Sequence, residues 1–235
     1  MRLNNYISRN DLLIDWIFES AGDQSAVVLD IGANDSSFCP EVRRIAERFP
    51  RLDGVDPDAQ KLMRNPLVAN RYCSTLEEAD LKPETYDLLY SFYVFEHVLD
   101  PECFLAAASR CLKPGGSLFF ITPNGNHYFS YLASFLAKIN MQHRLLRMLR
   151  PAELVDSYHY PAVYKLNRPK EIERIARAVG FDAFEYRYSE RLDDVIDYFP
   201  GVTKVLPRLW ENAAAHSGRD DLLVNLMGKM VKRRI

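Results

Sequence analysis

The absences in this 235-residue chain exclude more than its composition selects. Cysteine is scarce: Cys39, Cys73, Cys103 and Cys111 form no C-x-x-C pair and no metal-ligand spacing with histidine. That argues against a disulfide framework or a zinc module, and no metal is expected. The thiols read as buried and reduced, as in a cytoplasmic protein. No run reaches the ~18 apolar residues of a membrane span. The opening stretch is broken by Arg9, Asp11, Asp15 and Glu19, unlike a signal peptide. Net charge is only −2, so no global field draws the chain to nucleic acid, and none is expected as a partner. Internal repeats, low-complexity linkers and a G-x-G-x-x-G fingerprint are also missing.

What is present is an ordinary globular balance, with hydrophobic residues at 48%, enough to bury a substantial core. Leu12, Leu13, Trp16 and Ile17 recur at helical spacing, so Asn10 to Ser20 reads as an amphipathic helix. Ala26 to Ile31 reads as a buried strand, and Pro40 to Phe49 as the helix that follows. Further strands are expected at Leu52–Val55, Arg71–Cys73, Tyr86–Ser91 and Ser117–Thr122. A helix is expected at Pro101–Cys111, and a turn at Lys113–Gly116. The alternation implies βαβ units, a parallel sheet, and a ligand site along one sheet edge. Past Pro123 the pattern changes to a segment rich in aromatics, histidine and arginine, with Ser130 to Leu149 helical. Regularity returns with a helix from Pro169 to Val179 and a strand at Ala183–Tyr188. A helical stretch over Val202–Trp210 and a last strand over Leu222–Met230 close the chain.

The strongest local feature is VVLDIGANDSSF, Val27 to Phe38. Gly32 after a strand permits a tight turn and close ligand approach, and the next helix offers free N–H groups. Asp56 ends the following strand, where a carboxylate can accept both hydroxyls of a ribose. This much fits a dinucleotide or an adenosyl cofactor. Asp35 helps to choose. Facing a pyrophosphate, each like-charge pair at ~4 Å and an effective dielectric near 20 costs about 4 kcal/mol. A sulfonium and an ammonium favour carboxylates instead.

The ordered set DIGAN, GVDP, FEHVLDP and LKPGG resembles class I S-adenosylmethionine-dependent methyltransferases, specifically the type 11/12-like group. The resemblance covers Ala26 to Asn124 well and Pro169 to Phe181 less fully. It implies an α/β fold, Rossmann-like and doubly wound, with a mostly parallel seven-stranded sheet, helices on both faces and an inserted helical lid. Residues 1–235 would form one domain, with 125–164 as its acceptor-binding insertion. The glycine motif departs from the family's D-x-G-x-G-x-G, because Asn34 and Ser36 stand at the second and third glycines.

The resemblance also assigns roles. Asp30, Gly32 and Asn34 would hold the methionine part of S-adenosylmethionine. Asp56 and Pro57 would meet the ribose, and Ser74, Thr75 and Leu76 the adenine. Ser91, Phe92 and Tyr93 would lie under the sulfonium. His97 could serve as a general base, its ordinary pKa lying near neutrality, or support the cofactor loop beside Glu96. His127 is the second catalytic candidate. Tyr128, Arg144, Arg147, His159, Tyr160 and Tyr164 are candidates for acceptor binding. Arg144, Arg147 and Arg150 step at helical spacing and could dock an anionic acceptor, such as a sugar nucleotide or lipid-linked diphosphate, or meet a membrane peripherally. The expected function is O- or C-methylation of a small-molecule or glycan-type acceptor in a natural-product or polysaccharide pathway. Two rivals remain open: a non-catalytic cofactor-binding homologue and a nucleotide-cofactor dehydrogenase on the same fold.

Overall fold

The computed structural model describes residues 9–21, 24–37, 39–128, 130, 162–189 and 205–234. Its centre is a seven-stranded sheet: β1 Val27–Ile31, β2 Arg51–Val55, β3 Arg71–Tyr72, β4 Tyr86–Phe92, β5 Leu112–Pro123, β6 Phe181–Ser189 and β7 Asn225–Lys232. The strand order is β3-β2-β1-β4-β5-β7-β6. Strands β1 to β5 run parallel, and β7 is antiparallel to both β5 and β6. The carboxyl ends of β1, β2, β4 and β5 therefore open on one edge, where the order reverses between β1 and β4.

Helices cover both faces. On one side α1 (Arg9–Ser20) and α2 (Arg43–Arg48) bury Leu13, Trp16, Ile45 and Phe49 against Val28, Tyr90 and Phe119. The Trp16 ring stands edge-on to Phe119 at 5.6 Å. The short α3 (Ala59–Leu62) adds Leu62 to this side. On the other side α4 (Pro101–Cys111) and α5 (Pro169–Ala178) bury Phe104, Leu105, Ile172 and Ile175 against Leu29, Leu89 and Phe120. Asp100 starts α4 by accepting the N–H groups of Glu102 and Cys103, and Pro101 sets the first turn. Burial on both faces is why β1 reads as a nearly unbroken apolar run, with Asp30 its one charged residue.

Several boundaries differ from expectation. Lys113–Gly116 is not a turn ahead of the fifth strand but a loop within it. Pairing with β4 passes from Tyr86–Leu112 to Leu88–Ser117, so Asp87 alone faces the four intervening residues. Gly115 takes φ +81 to make the bulge. Asp87 then holds Lys113 Nζ at 2.8 Å and the Val27 N–H at 2.9 Å, pinning the bulge to β1. The late helix, α6, runs over Val205–His216, longer than expected at its carboxyl end, because Ala213–Ala215 sustain it. The last strand starts three residues late: Asp220–Leu222 form a 3₁₀ turn closed by the Leu222 N–H on Arg219. Of the thiols, Cys39 and Cys111 are buried, but Cys73 and Cys103 are exposed. Cys73 follows the two-residue edge strand β3, and Cys103 sits on the outer face of α4's first turn. The helix expected over Ser130–Leu149, and most of the 125–164 insertion, lie outside the described residues. Among the described residues no helix is long and apolar enough to cross a membrane.

Candidate active site at the carboxyl edge of the sheet

The site begins where β1 ends. Gly32 turns the chain at φ +81, its N–H bonded to the Val55 carbonyl at 2.9 Å. A Cβ there would stand 2.5 Å from Val94 Cγ2. Asn34 and Ser36 follow at φ +46 and +64. The three left-handed residues alternate, in the spacing of the family's three glycines. Left-handed backbone thus stands at each of these three positions, only one of which is a glycine here. Asparagine tolerates this region better than most residues, and its Oδ1 accepts the Asp35 N–H at 2.7 Å. Asp35 in turn accepts the Ser37 backbone N–H at 3.0 Å and its hydroxyl. Fully buried Asn65 donates to the carbonyls of Ala33 and Asn34 at 2.9 and 3.0 Å.

Asp56 ties this turn to β2. Its Oδ2 accepts the Asn34 N–H at 2.9 Å, and its Oδ1 the Asp58 N–H at 2.7 Å. Each carboxylate oxygen can accept again, so both keep capacity for a hydroxyl donor. Burial raises the Asp56 carboxyl, and the two backbone donors hold it back. Asp30 is more strongly affected. Burial pushes it up to about 7, the Tyr90 hydroxyl opposing the shift and the Asp56 charge adding to it. Asp35 goes the other way, held below the usual carboxylate range by Ser37. Asp30 and Asp56 thus repel each other beside the turn, and a cation placed between them would relieve that repulsion.

Asp30 makes the empty protein's stability pH-dependent. A carboxyl raised to about 7 when folded contributes stability below its unfolded value near 3.8, and that stability is lost as pH rises through 7. Urea unfolding between pH 4.5 and 7.5 is expected to show declining stability, with a flatter profile in Asp30→Asn, which mimics the protonated acid. An identical pH slope in the two proteins would contradict the assignment.

Strand β4 supplies the floor. Register places Ser91 beside Ile31. The Ser91 hydroxyl is buried and has no hydrogen-bond partner among the described residues. Phe92 is buried, its ring edge-on to Tyr90. Tyr93 leaves the strand at φ +57, its N–H on the Ile121 carbonyl at 2.9 Å. Next comes the Phe95–His97 turn. Glu96 in it is buried and accepts the Thr122 hydroxyl at 2.9 Å, while Asn167 donates to Thr122 Oγ1 at 2.7 Å. The Glu96 carbonyl accepts the N–H groups of Val163 and Tyr164. The carboxylate of the E-H-V element is thus spent inside a polar network that joins the ends of β4 and β5 to the stretch before α5.

The structure unites many of the sequence-derived positions. Asp30, Gly32, Asn34 and Asp56 meet through the contacts above. Ser74 joins them because its N–H and that of Asp56 share the Tyr72 carbonyl. Thr75 is half-buried, and Pro57 is exposed at the rim. Leu76 is packed into the core on the α4 side. His97 is half-buried, and Tyr164 sits at φ +54 against Glu96. His127 is fully buried after β5, with Nε2 3.1 Å from Glu211 Oε1 on α6, and the Tyr128 ring lies tilted beside it. Arg144, Arg147, Arg150, His159 and Tyr160 lie outside the described residues. Asn65, Thr122, Asn167 and Glu211 are not among the site residues read from the sequence. No three His, Cys, Asp or Glu among the described residues gather as metal ligands.

Comparison with known proteins bears on the family and the fold. A methyltransferase domain model matches residues 7–186. The ubiquinone biosynthesis O-methyltransferase of Sodalis glossinidius is 29% identical over 158 residues, covering 62% of this chain and 64% of the relative. The protein of the same name from Pseudomonas aeruginosa is 30% identical over 159 residues, covering 62% and 67%. The chain thus spans just under two thirds of the first relative's length. Among solved structures, Haemonchus contortus phosphoethanolamine N-methyltransferase 2, in complex with S-adenosyl-L-methionine, superposes with TM-score 0.60 at 17% identity, covering 98% of this chain and 55% of that one. The cyclase SpnF superposes equally well, at 0.60 and 13% identity, covering 96% and 82%. The fold is shared by these proteins, and at such identities it alone does not fix the reaction.

Proposed function

We propose that this chain, which belongs to the class I S-adenosylmethionine-dependent methyltransferases, methylates a hydroxyl oxygen of a small aromatic acceptor. The observation that carries the cofactor half is the left-handed triplet Gly32, Asn34 and Ser36, anchored to Asp56. The residues present suit the cofactor. The orphaned Ser91 hydroxyl belongs to the residue paired with Ile31, directly before the Gly32 turn. Asp56 would accept the ribose hydroxyls with Pro57 at the rim, and Ser74 to Leu76 would border the adenine. Asp30, Gly32 and Asn34 would surround the amino-acid end, its ammonium countering Asp30. Ser91, Phe92 and Tyr93 would support the sulfonium.

When bound, the cofactor supplies a methyl group activated on sulfur. The chain's contribution is orientation, which can be worth on the order of 7–11 kcal/mol, and a dry, negatively charged surround. Oxygen is favoured as the acceptor atom because the similar curated proteins are named O-methyltransferases. A sugar-nucleotide or lipid-linked acceptor for segment 125–164 rests on the spacing of Arg144, Arg147 and Arg150 alone. We place the protein in the cytoplasm on its unpaired thiols.

Calorimetry separates this reading from its rivals. Saturable heat is expected with S-adenosylmethionine and S-adenosylhomocysteine, and none with NAD, which Asp35 repels. Incubation with a panel of phenols and catechols is then expected to release S-adenosylhomocysteine. Binding of NAD alone would defeat the cofactor assignment, and cofactor binding without turnover of any hydroxyl would defeat the acceptor assignment.

A further inference from the structure

Asp30 is an acid set where a carboxylate is costly. It is 4% exposed in the interior of the sheet, and Tyr90, its direct partner on β4, is 0% exposed. On β2 its partner is Gly54, which has no side chain to offer, and the space beside Gly54 is filled by Ala33, Val68 and Leu62. Directly paired residues share a face, so Asp30 and Tyr90 lie together on the side that holds Val28, Ile45 and Phe92.

The titratable groups around Asp30 are acids or stay neutral. Asp56 acts on it from β2 as a like charge. Cys39, at the entrance to the Pro40–Val42 turn, has a thiol kept neutral by burial and by Glu41, whose Oε2 is 3.4 Å from Sγ. Asn10 of α1 reaches the same Glu41 oxygen at 3.5 Å. Among the described residues no cation pairs with Asp30, and the group that favours its charge is the Tyr90 hydroxyl. That phenol is itself kept neutral by burial and by Asp30, and it completes no well-formed hydrogen bond. The contact is slack, and it would tighten on a full carboxylate, because hydrogen bonds to charged acceptors are shorter and stronger. With burial pushing it up to about 7, Asp30 is protonated in the empty protein at mildly acidic pH. A protonated acid brings no charge to an ammonium.

We propose that Asp30 gives up a proton when the adenosyl cofactor binds, and that Tyr90 is the positioning residue whose hydroxyl steadies the new carboxylate opposite the cofactor's ammonium. The proposal rests on the cofactor placement above. The Asp30 O–H bond breaks, its electron pair stays on oxygen, and the proton leaves to solvent, while no bond of the cofactor changes. An ammonium within about 4–6 Å lowers a carboxyl's pKa by about 1–3, enough to ionise Asp30 in the complex at pH values where the empty protein holds the proton. Affinity is then set by pH. Below about 7 binding must displace a proton and is weaker, and above it the carboxylate is already formed.

The test titrates the intact protein with S-adenosylhomocysteine, which carries the same ammonium and cannot react. Calorimetry at about pH 6 in two buffers of different ionisation enthalpy is expected to show close to one proton released per ligand, and the dissociation constant to rise about five- to tenfold from pH 7.5 to pH 6. Asp30→Asn is expected to bind without releasing a proton and with a flat pH profile. So is the wild-type protein with 5′-methylthioadenosine, which keeps the nucleoside but lacks the amino-acid end. Tyr90→Phe keeps the ring and is expected to raise the Asp30 midpoint, followed by carboxyl NMR in the empty protein, and to raise the midpoint of the affinity profile with it. Equal heats in the two buffers, or a proton still released by Asp30→Asn, overturn the proposal. A Tyr90→Phe protein that melts earlier but keeps both midpoints makes Tyr90 a packing residue and overturns its role. No saturable heat at any pH is a different failure, since it removes the cofactor assignment itself.

Discussion

Replacing Asp56 by alanine is expected to weaken S-adenosylmethionine binding roughly 100-fold or more while leaving the fold intact. Two losses combine. A ribose loses a charged acceptor, and hydrogen bonds to charged groups contribute about 1.5–3 kcal/mol. At about 1.4 kcal/mol per tenfold, that alone is ten- to more than a hundred-fold. The second loss is internal. Asp56 accepts the Asn34 and Asp58 N–H groups, so alanine frees the turn that must meet the methionine end. The global fold should survive, because β2 remains paired on both sides. Asp56→Asn is the sharper control. It keeps the volume and one acceptor, but its NH₂ must face a backbone donor, so it should bind little better than alanine. Calorimetric dissociation constants beside a thermal melt decide the matter, and a folded Asp56→Ala protein that binds within twofold of wild type would remove Asp56 from the site.

Why Asp56 could be picked out from sequence, and Glu211 could not, is a matter of range. Asp30, Gly32 and Asp56 stand at strand ends, and a strand end is a local event: an apolar run stops and a small or acidic residue follows. The parallel core was legible for the same reason, since β1, β2, β4 and β5 are buried on both faces and read as short apolar runs. Lys113–Gly116 shows the limit of that logic. Its composition announces a turn, but only the Asp87 contacts reveal that the turn is a bulge inside a strand. Asn65 and Asn167 look like ordinary loop residues and are 0% exposed, because distant carbonyls claim their amides. The His127–Glu211 pair joins the exit of β5 to a helix near the other end of the chain, with no spacing to betray it. Nor does any residue preference announce Tyr93 at φ +57, since bulky side chains avoid that region.

Gly32→Val is expected to weaken cofactor binding by about 30-fold or more, and Ser36→Gly is expected to have the opposite sign of effect on stability. At φ +81 an L side chain is strained by roughly 1–2 kcal/mol, more for a β-branched one. The new Cβ would also stand 2.5 Å from Val94 Cγ2, and forcing atoms into filled space typically costs about 1–3 kcal/mol. The protein need not bear this cost in the empty state. The turn is held by N–H bonds from Gly32, Ala33 and Asn34 and by the Asn65 amide, and giving up some of these bonds lets it swing out and relax. Binding must then pull it back, and the strain appears as lost affinity, from about 30-fold to more than a thousandfold. Thermal stability without cofactor should fall far less than affinity. Ser36 at φ +64 is strained in the native protein already, so glycine there should raise the melting temperature slightly and leave affinity intact. The pair of variants isolates the cause. If valine at 32 binds normally, the turn does not approach the ligand, and if glycine at 36 destabilises, the left-handed path is not the one the protein takes.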